Sequence, residues 1–362
     1  MPTAITQIAG RQVAAEKIPS WREIEEIWYP KHLSLEQCSS EITARYKARL
    51  FQGDSLIDLT GGFGIDCSFL ATGFKTATYV ERQEELCEIA AHNFPILNLN
   101  HINVRNEDGV AYLQSMSPVD CIFLDPARRN EHGGKTVAIS DCEPNVAELE
   151  ALLLSKANRV MIKLSPMLDL SLALKELKHT QEIHILSVNN ECKELLILLG
   201  QTSPAEIAIH CVNLLTKGTQ EEQHLVFTRE QEQRSQCTYT DSLGNYLYEP
   251  NASLLKAGAF RSIAAAYPVR KLHPNSHLYT SDSFIENFPG RIFRIVNQCS
   301  FNKKEVKENL ADLKKANVTV RNFPTTVAEL RKRLHLTEGG DTYLFASTLN
   351  NGQKVIIRCE KV

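Results

Sequence analysis

The chain has 362 residues, 43% apolar and 23% charged, with a formal net charge of −3. That mixture excludes wholesale disorder and fibrous repeats, and the length allows two or three domains whose cores need no metal or disulfide staple. The longest apolar runs are about five residues, as at 195–199, against roughly 20 for a membrane helix, so no span is expected. Residues 1–10 lack a basic segment followed by an apolar one, so no secretory leader is expected either. The cysteines (38, 67, 87, 121, 142, 192, 211, 237, 299 and 359) show no C-x-x-C spacing. This pattern predicts free thiols in a reducing cytoplasm and no metal site. Charge is uneven. Between residues 290 and 336 there are eleven Lys/Arg and four acids, an excess of +7 that leaves −10 on the rest. A basic end on an acidic body suits a polyanionic partner.

Residues 1–50 read as helices that begin abruptly, as in a shortened chain. Ser34 with Gln37 has capping-box spacing, and Leu35, Cys38, Ile42 and Tyr46 follow at helical intervals. From residue 55 short β-rich runs (55–60, 76–81, 101–105, 119–125 and 159–164) alternate with amphipathic stretches such as Leu86, Ile89, Ala90 and Phe94. The alternation predicts βαβ units and a parallel sheet. Segments 182–188 and 193–199 are joined too briefly for a crossover, so an antiparallel hairpin closes the sheet. The polar, Gln/Glu-rich stretch 220–241 reads as a surface connection. After residue 290 the pattern is strand 291–297, helix 302–315, strand 318–323, helix 326–334, then strands 342–347 and 354–359. Asn302/Glu305 and Thr326/Glu329 have capping-box spacing at the helix starts. The expected domains are 1–50, 51–200, 201–289 and 290–362.

The strongest local signal is Asp58-Leu59-Thr60-Gly61-Gly62-Phe63-Gly64-Ile65-Asp66, between the first strand and a helix. Glycines there let a ligand approach the backbone, or merely permit tight packing. Acids then end the next strands: Glu81 (beside Arg82), Asp108 (beside Gly109) and Asp125, in Asp125-Pro126-Ala127-Arg128-Arg129. Ligands of open α/β sheets sit at such strand ends. Glu81 is placed to accept from ribose hydroxyls and Asp108 from an adenine amino group. The dinucleotide fingerprint fails, since Gly62 and Gly64 are followed by Cys67 where a third glycine is required. A ligand carrying a sulfonium and an ammonium suits the acids better. Lys163 and Ser165 end the fifth strand, and Arg128, Arg129 and Lys135, after Gly133-Gly134, add positive charge nearby. Cys121 and Cys142 lack a Pro-Cys or Thr-Cys context, so a covalent cysteine mechanism is not expected.

These motifs resemble those of class I S-adenosylmethionine-dependent methyltransferases. Residues 36–47, Tyr248-Glu249-Pro250-Asn251-Ala252, and the end from Phe323-Pro324-Thr325-Thr326 to Gly339-Gly340-Asp341-Thr342-Tyr343-Leu344-Phe345 narrow the resemblance to the bacterial group with a THUMP-like C-terminal domain. The resemblance implies a Rossmann-like α/β sheet, N-terminal helices and small α+β C-terminal domains, ferredoxin-like then THUMP-like. It implies S-adenosylmethionine as cofactor, with Asp58, Thr60, Gly61, Gly62, Gly64, Glu81, Arg82, Asp108, Gly109 and Asp125 around it. Asp125, Pro126, Arg128 and Lys163 are the catalytic candidates, with Asp125 orienting or deprotonating the acceptor. The Asp/Asn-Pro-Pro-aromatic pattern of amino-group methyltransferases is broken at Ala127 and Arg128, so the acceptor atom stays open. The segment 39–47 is either a lid on the cofactor or a packing helix. THUMP domains bind RNA, so tRNA or rRNA is the expected partner, without membrane or DNA. Phe301 and Phe323 are the chief aromatics there able to stack on bases. The alternatives are a small-molecule or protein methyltransferase and a non-catalytic RNA-binding protein.

Overall fold

A computed structural model describes residues 4–128, 138–217 and 222–362. The chain divides into two compact units, residues 1–186 with 193–208, and residues 187–192 with 209–362.

The first sheet includes strands β1 (Gly53–Asp58), β2 (Phe74–Glu81), β3 (Ile102–Asn106), β4 (Val119–Leu124), β5 (Ala157–Leu164), β6 (Thr180–Val188) and β7 (Glu191–Gly200). Their order in the sheet is β6-β7-β5-β4-β1-β2-β3. The first five run parallel, and β7 pairs antiparallel with β5. Asn189 and Asn190, both at positive φ (49° and 70°), turn β6 into β7. Two left-handed residues match the twist of a two-residue hairpin, and Asn tolerates that conformation. The chain adds β2 and β3 on one side of β1, then crosses to β4 on the other. That reversal opens a crevice beyond the carboxyl ends of β1 and β4.

The helices that connect or flank these strands include α1 (Ala4–Lys17), α2 (Glu41–Ala48), α3 (Ile65–Leu70), α4 (Glu84–Ile96) and α5 (Gly109–Ser115), with further helices at Val146–Lys156 and Leu170–Glu176 between the later strands. The N-terminal segment belongs to the same unit as the sheet. Ala14, Ile18, Trp21, Ile27, Tyr29, Leu35 and Ala44 form one core with Phe63, Ile65 and Ile89. Trp21 meets Phe63 edge-on at 5.3 Å, so this core braces the residues following the glycines. The helix expected to run on from Ser34 is broken. One turn ends at Gln37, Cys38 is extended (ψ 160°), and α2 restarts after Ser40. Ser34 lies within the first piece, whose N-cap is Lys31 and makes no side-chain cap bond. The break frees Ser39 to turn inward, where tertiary contacts outweigh the helical pattern.

The second unit has strands β8 (Ala208–Leu214) and β9 (Glu222–Phe227), paired antiparallel. The segment expected as a surface connection therefore contains a strand. Its polar residues still make a ladder because only one face of a hairpin needs burial. The second sheet has the order β11-β12-β10-β13-β16-β15-β14. Its strands are β10 (Tyr246–Pro250), β11 (Arg270–Lys271), β12 (Tyr279–Ser281), β13 (Gly290–Ser300), β14 (Asn317–Val320), β15 (Thr342–Thr348) and β16 (Lys354–Lys361). β14 stops short of the expected residue 323, with Asn322 left-handed (φ 52°) before Pro324. One ladder joins β10 to β13 and so spans residue 290. Alternation on β15 and β16 sends Phe345 and Ile357 to one core and Leu344, Ala346 and Ile356 to the other. Helices α6 (Lys303–Leu310) and α7 (Val327–Leu334) cover the second core through Leu310 and Leu330. Asn302 caps α6, and Thr326 with Glu329 forms the expected capping box on α7.

The Tyr248–Ala252 motif is absorbed by this packing. Tyr248 Oη donates to Ser283 O, Glu249 holds Arg291 and Arg321, and Asn251 Oδ1 accepts from Leu254 N–H and Ser253 Oγ. Asn251→Ala removes a fully buried helix cap and is expected to cost roughly 1–2 kcal/mol. Urea unfolding followed by far-UV dichroism measures it, and an unchanged midpoint would contradict the assignment.

Candidate functional site

β1 delivers Asp58 to the crevice with its carboxylate fully buried. Oδ1 accepts from Thr60 N–H at 3.0 Å, while the buried Oδ2 has no partner among the described residues. Burial dominates the Asp58 environment and, with Asp66 and Asp125 nearby, pushes its pKa to about 8 against the pull of Thr60 N–H and Lys163. Thr60 Oγ1 also accepts from Asp125 N–H at 2.6 Å, tying the ends of β1 and β4 together. The bend follows. Gly62 has φ +53°, a conformation that L side chains rarely adopt. A Cβ on Gly61 would lie 2.2 Å from the Tyr79 ring. Glu81, at the end of β2, accepts from Gly62 N–H (2.9 Å) and Gln83 N–H (2.8 Å). Asp108, exposed after β3, caps α5 by accepting from Val110 and Ala111 N–H, both at 3.0 Å.

Behind the bend lies a closed charge network. The Lys163 ammonium contacts Asp125 Oδ2 (2.5 Å), Ser39 Oγ (3.1 Å) and Asp66 Oδ2 (3.3 Å). Lys47, wholly buried on α2, contacts Glu194 Oε2 (2.5 Å), Ser39 Oγ (3.0 Å) and Asp66 Oδ1 (3.0 Å). Ser39 Oγ donates to Asp66 Oδ2 at 2.7 Å. The Ser39 hydroxyl thus accepts from two ammonium groups and donates to a carboxylate, its full complement. Burial alone would raise the Asp66 pKa, but Lys47 and Lys163 outweigh it and hold the carboxyl at about 2. Desolvation opposes the Lys163 charge, and Asp125, Asp66 and Glu194 overcome it, so its pKa rises. An ammonium has three N–H donors, and those of Lys163 all face oxygens within the network. Lys163 therefore holds Asp125 in place and has no N–H left for a reacting group. The other oxygen of Asp125 has no hydrogen bond among the described residues, and 37% of the side chain is exposed.

The bend, the acids at the strand ends and the Ser39–Asp66–Lys163 side of the network line a cavity of about 910 Å³. It gathers Asp58, Thr60, Gly61, Gly62, Gly64, Glu81, Arg82, Asp108, Gly109, Asp125, Pro126, Lys163 and Ser165. Its walls also include Cys38, Ser39, Asp66 and the segment 142–145. Arg82 reaches Glu143 at 3.6 Å, both exposed. The side chain of Arg128, and Arg129, Gly133, Gly134 and Lys135, lie outside the described residues. Residues 34 and 37–39 border the cavity, whereas α2 is anchored behind it by Lys47, as a packing helix. Cys121 is buried within β4, where desolvation pushes its thiol up to about 11. No disulfide involves any of the ten cysteines.

Comparison with known proteins matches three family descriptions: protein-L-isoaspartate(D-aspartate) O-methyltransferase over residues 24–130, a ferredoxin-like domain over 246–289, and a THUMP domain-like model over 290–361. A crystal structure from Porphyromonas gingivalis W83, described as that of a candidate methyltransferase, is 37% identical. The match covers 99% of this chain and 89% of that one, with a TM-score of 0.89. This chain belongs to the methyltransferase family with a THUMP-like C-terminal domain. Two more distant solved structures are an rRNA methylase from Streptococcus thermophilus and TrmK of M. capricolum, the latter with S-adenosyl-homocysteine. The first is 14% identical over 44% of this chain and 94% of its own, TM-score 0.33. The second is 12% identical over 44% and 68%, TM-score 0.35. At those scores neither carries weight. No curated protein matches.

Ser39, Lys47, Asp66 and Glu194 were not singled out as site residues in the sequence of this methyltransferase-family chain. Asp66 closes the glycine motif, and Glu194 is a lone acid entering the apolar run of β7, but neither pattern names a partner. Two outcomes follow from the network and from Asp58. Removing one member of a buried ion pair strands the other, at roughly 3–5 kcal/mol. Lys47→Met should destabilise the first unit by about that much in urea. Trp21 and Trp28, the chain's two tryptophans, both report on that unit. A change within 1 kcal/mol, on the order of a surface pair, would contradict the network's role. Asp58 holds its proton more tightly folded than unfolded. Its contribution is complete below the unfolded value near 4 and is lost as pH rises to about 8. Relative to Asp58→Asn, the wild type should lose stability from pH 5 to 8 and then level off. Parallel curves would contradict it.

Proposed function

We propose that the chain is an S-adenosylmethionine-dependent methyltransferase acting on structured RNA. The observation that carries the cofactor assignment is the unpartnered, buried Oδ2 of Asp58 beside a glycine bend in an acid-rich cavity. Among the described residues, seven acidic side chains line that cavity against three basic ones, which suits a ligand bearing an ammonium and a sulfonium. Asp58 is the partner for the ammonium, Glu81 for the ribose hydroxyls, and Asp108 with Gly109 for the base. Thr60, Gly61, Gly62, Gly64 and Arg82 complete the walls. Bound there, S-adenosylmethionine supplies an activated methyl group. The protein's part is to align the acceptor and exclude water. Asp125, fixed by Lys163 through Oδ2, offers its other oxygen to the acceptor's N–H or O–H. Burial raises its pKa, against the pull of Lys163, which makes it a better proton acceptor than an ordinary aspartate. Pro126 stiffens the backbone after it.

The RNA assignment rests on the THUMP-like match and on the surface of α6 and α7. Lys303, Lys304 and Lys307 on α6, with Lys314, Lys315, Lys332 and Arg333, are exposed. None of these seven forms an ion pair among the described residues, whereas Arg291, Arg294, Arg321 and Arg331 each face an acid. Unpaired surface lysines attract phosphate without reading sequence. Phe301 and Phe323 are not free to stack on bases. They meet edge-on at 4.8 Å, and the Arg333 guanidinium lies 4.1 Å over the Phe301 ring. Contacts of this kind read shape and backbone. The isoaspartate O-methyltransferase match spans residues 24–130, so it takes in Asp125 and Pro126 but neither Lys163 nor the basic C-terminal surface.

Wild-type protein should methylate bulk tRNA or rRNA from cells lacking the gene, using radiolabelled cofactor. Asp125→Ala should lower turnover more than cofactor affinity. Equal losses in both would remove Asp125 from the acceptor side. Reversing Lys303, Lys304 and Lys307 to Glu should weaken RNA binding and flatten its salt dependence by about one unit of slope per lost phosphate contact. An unchanged slope would make the basic face incidental.

A further inference from the structure

Strand β2 sends two side chains from one face to the glycine bend, because residues two apart share a face. Tyr79 Oη donates to the Gly62 carbonyl at 2.5 Å, and Glu81 Oε2 accepts from Gly62 N–H at 2.9 Å. Both backbone polar groups of the left-handed glycine are therefore held by side chains of one neighbouring strand. The Tyr79 ring is itself fixed. It is fully buried, meets Phe94 edge-on at 5.5 Å, and occupies the space that a Cβ on Gly61 would need. The Gly61 N–H donates to Val80 O at 2.9 Å, so β2 and the bend are stitched at three points. Glu81 is locked in turn by Gln83 N–H on Oε1, which leaves the remaining lone pair of each oxygen for a pair of hydroxyl donors.

We propose that Tyr79 is a positioning residue for the nucleoside cofactor. It acts through Gly62, setting the bend that faces the cofactor's amino-acid end and holding the bend in register with the carboxylate that receives the ribose. This rests on the assignment of the cavity to S-adenosylmethionine. The Tyr79 hydroxyl remains a donor throughout the working pH range, because burial raises its pKa, with Glu81 adding to the effect.

The test is calorimetric titration of the full chain with S-adenosylhomocysteine, alongside melting of the free protein. Tyr79→Phe keeps the ring and deletes one hydrogen bond, so the dissociation constant should rise about tenfold. The melting temperature of the free protein should move little. Glu81→Gln should weaken binding as well. The Tyr79→Phe/Glu81→Gln double variant should lose less than the product of the two single losses, since both side chains act on Gly62. A lower melting temperature with an unchanged dissociation constant for Tyr79→Phe would overturn the proposal, as would losses that multiply. Absence of binding by the wild type would instead overturn the cofactor assignment, and this role for Tyr79 with it.

Discussion

The site depends on one buried hydroxyl. Ser39 Oγ accepts from Lys47 and Lys163 and donates to Asp66, so two cations and the acids around them share a common centre. Moving such charges out of water costs several kcal/mol each, and only a complete set of partners offsets it. Here the partners come from the N-terminal segment, α3 and the ends of β4, β5 and β7. None of these elements can shift without leaving a charge stranded. The result is a cavity wall set before any ligand arrives, which is what alignment chemistry requires.

The sheet gives the network its coordinates. Parallel strands ending in register place Asp58, Glu81 and Asp125 along one edge, and the reversal of strand order opens the crevice above them. The bend between β1 and α3 is held on one side by Tyr79 and Glu81, and on the other by the N-terminal core through Phe63 and Ile65. Rigid elements thus carry every group assigned to the cofactor. The N-terminal helices are part of this machinery, since they supply both the brace and Lys47.

Much of this was legible in the sequence because it is local. Alternating β and amphipathic runs announced the sheet, and acids at strand ends marked its edge. The glycine motif located the bend. The buried network was not legible, because nothing adjacent to Lys47 or Glu194 in sequence indicates that they meet, 147 residues apart. Local signals also misled where tertiary contacts prevailed. The Ser34/Gln37 spacing suggested one helix, yet the chain breaks at Cys38 to turn Ser39 inward. Phe301 and Phe323 looked available, but the sheet packing faces them toward each other. The polar stretch after residue 220 hid a strand whose hairpin partner, β8, supplies the apolar face.

The most direct test is a crystal structure of the full chain grown with saturating S-adenosylhomocysteine. The account requires the nucleoside over the carboxyl ends of β1 and β4, with its ribose hydroxyls on Glu81, its amino group on Asp58 Oδ2, and the Lys47–Ser39–Lys163 network unmoved. An empty crevice, or a ligand seated elsewhere with those carboxylates untouched, would contradict it.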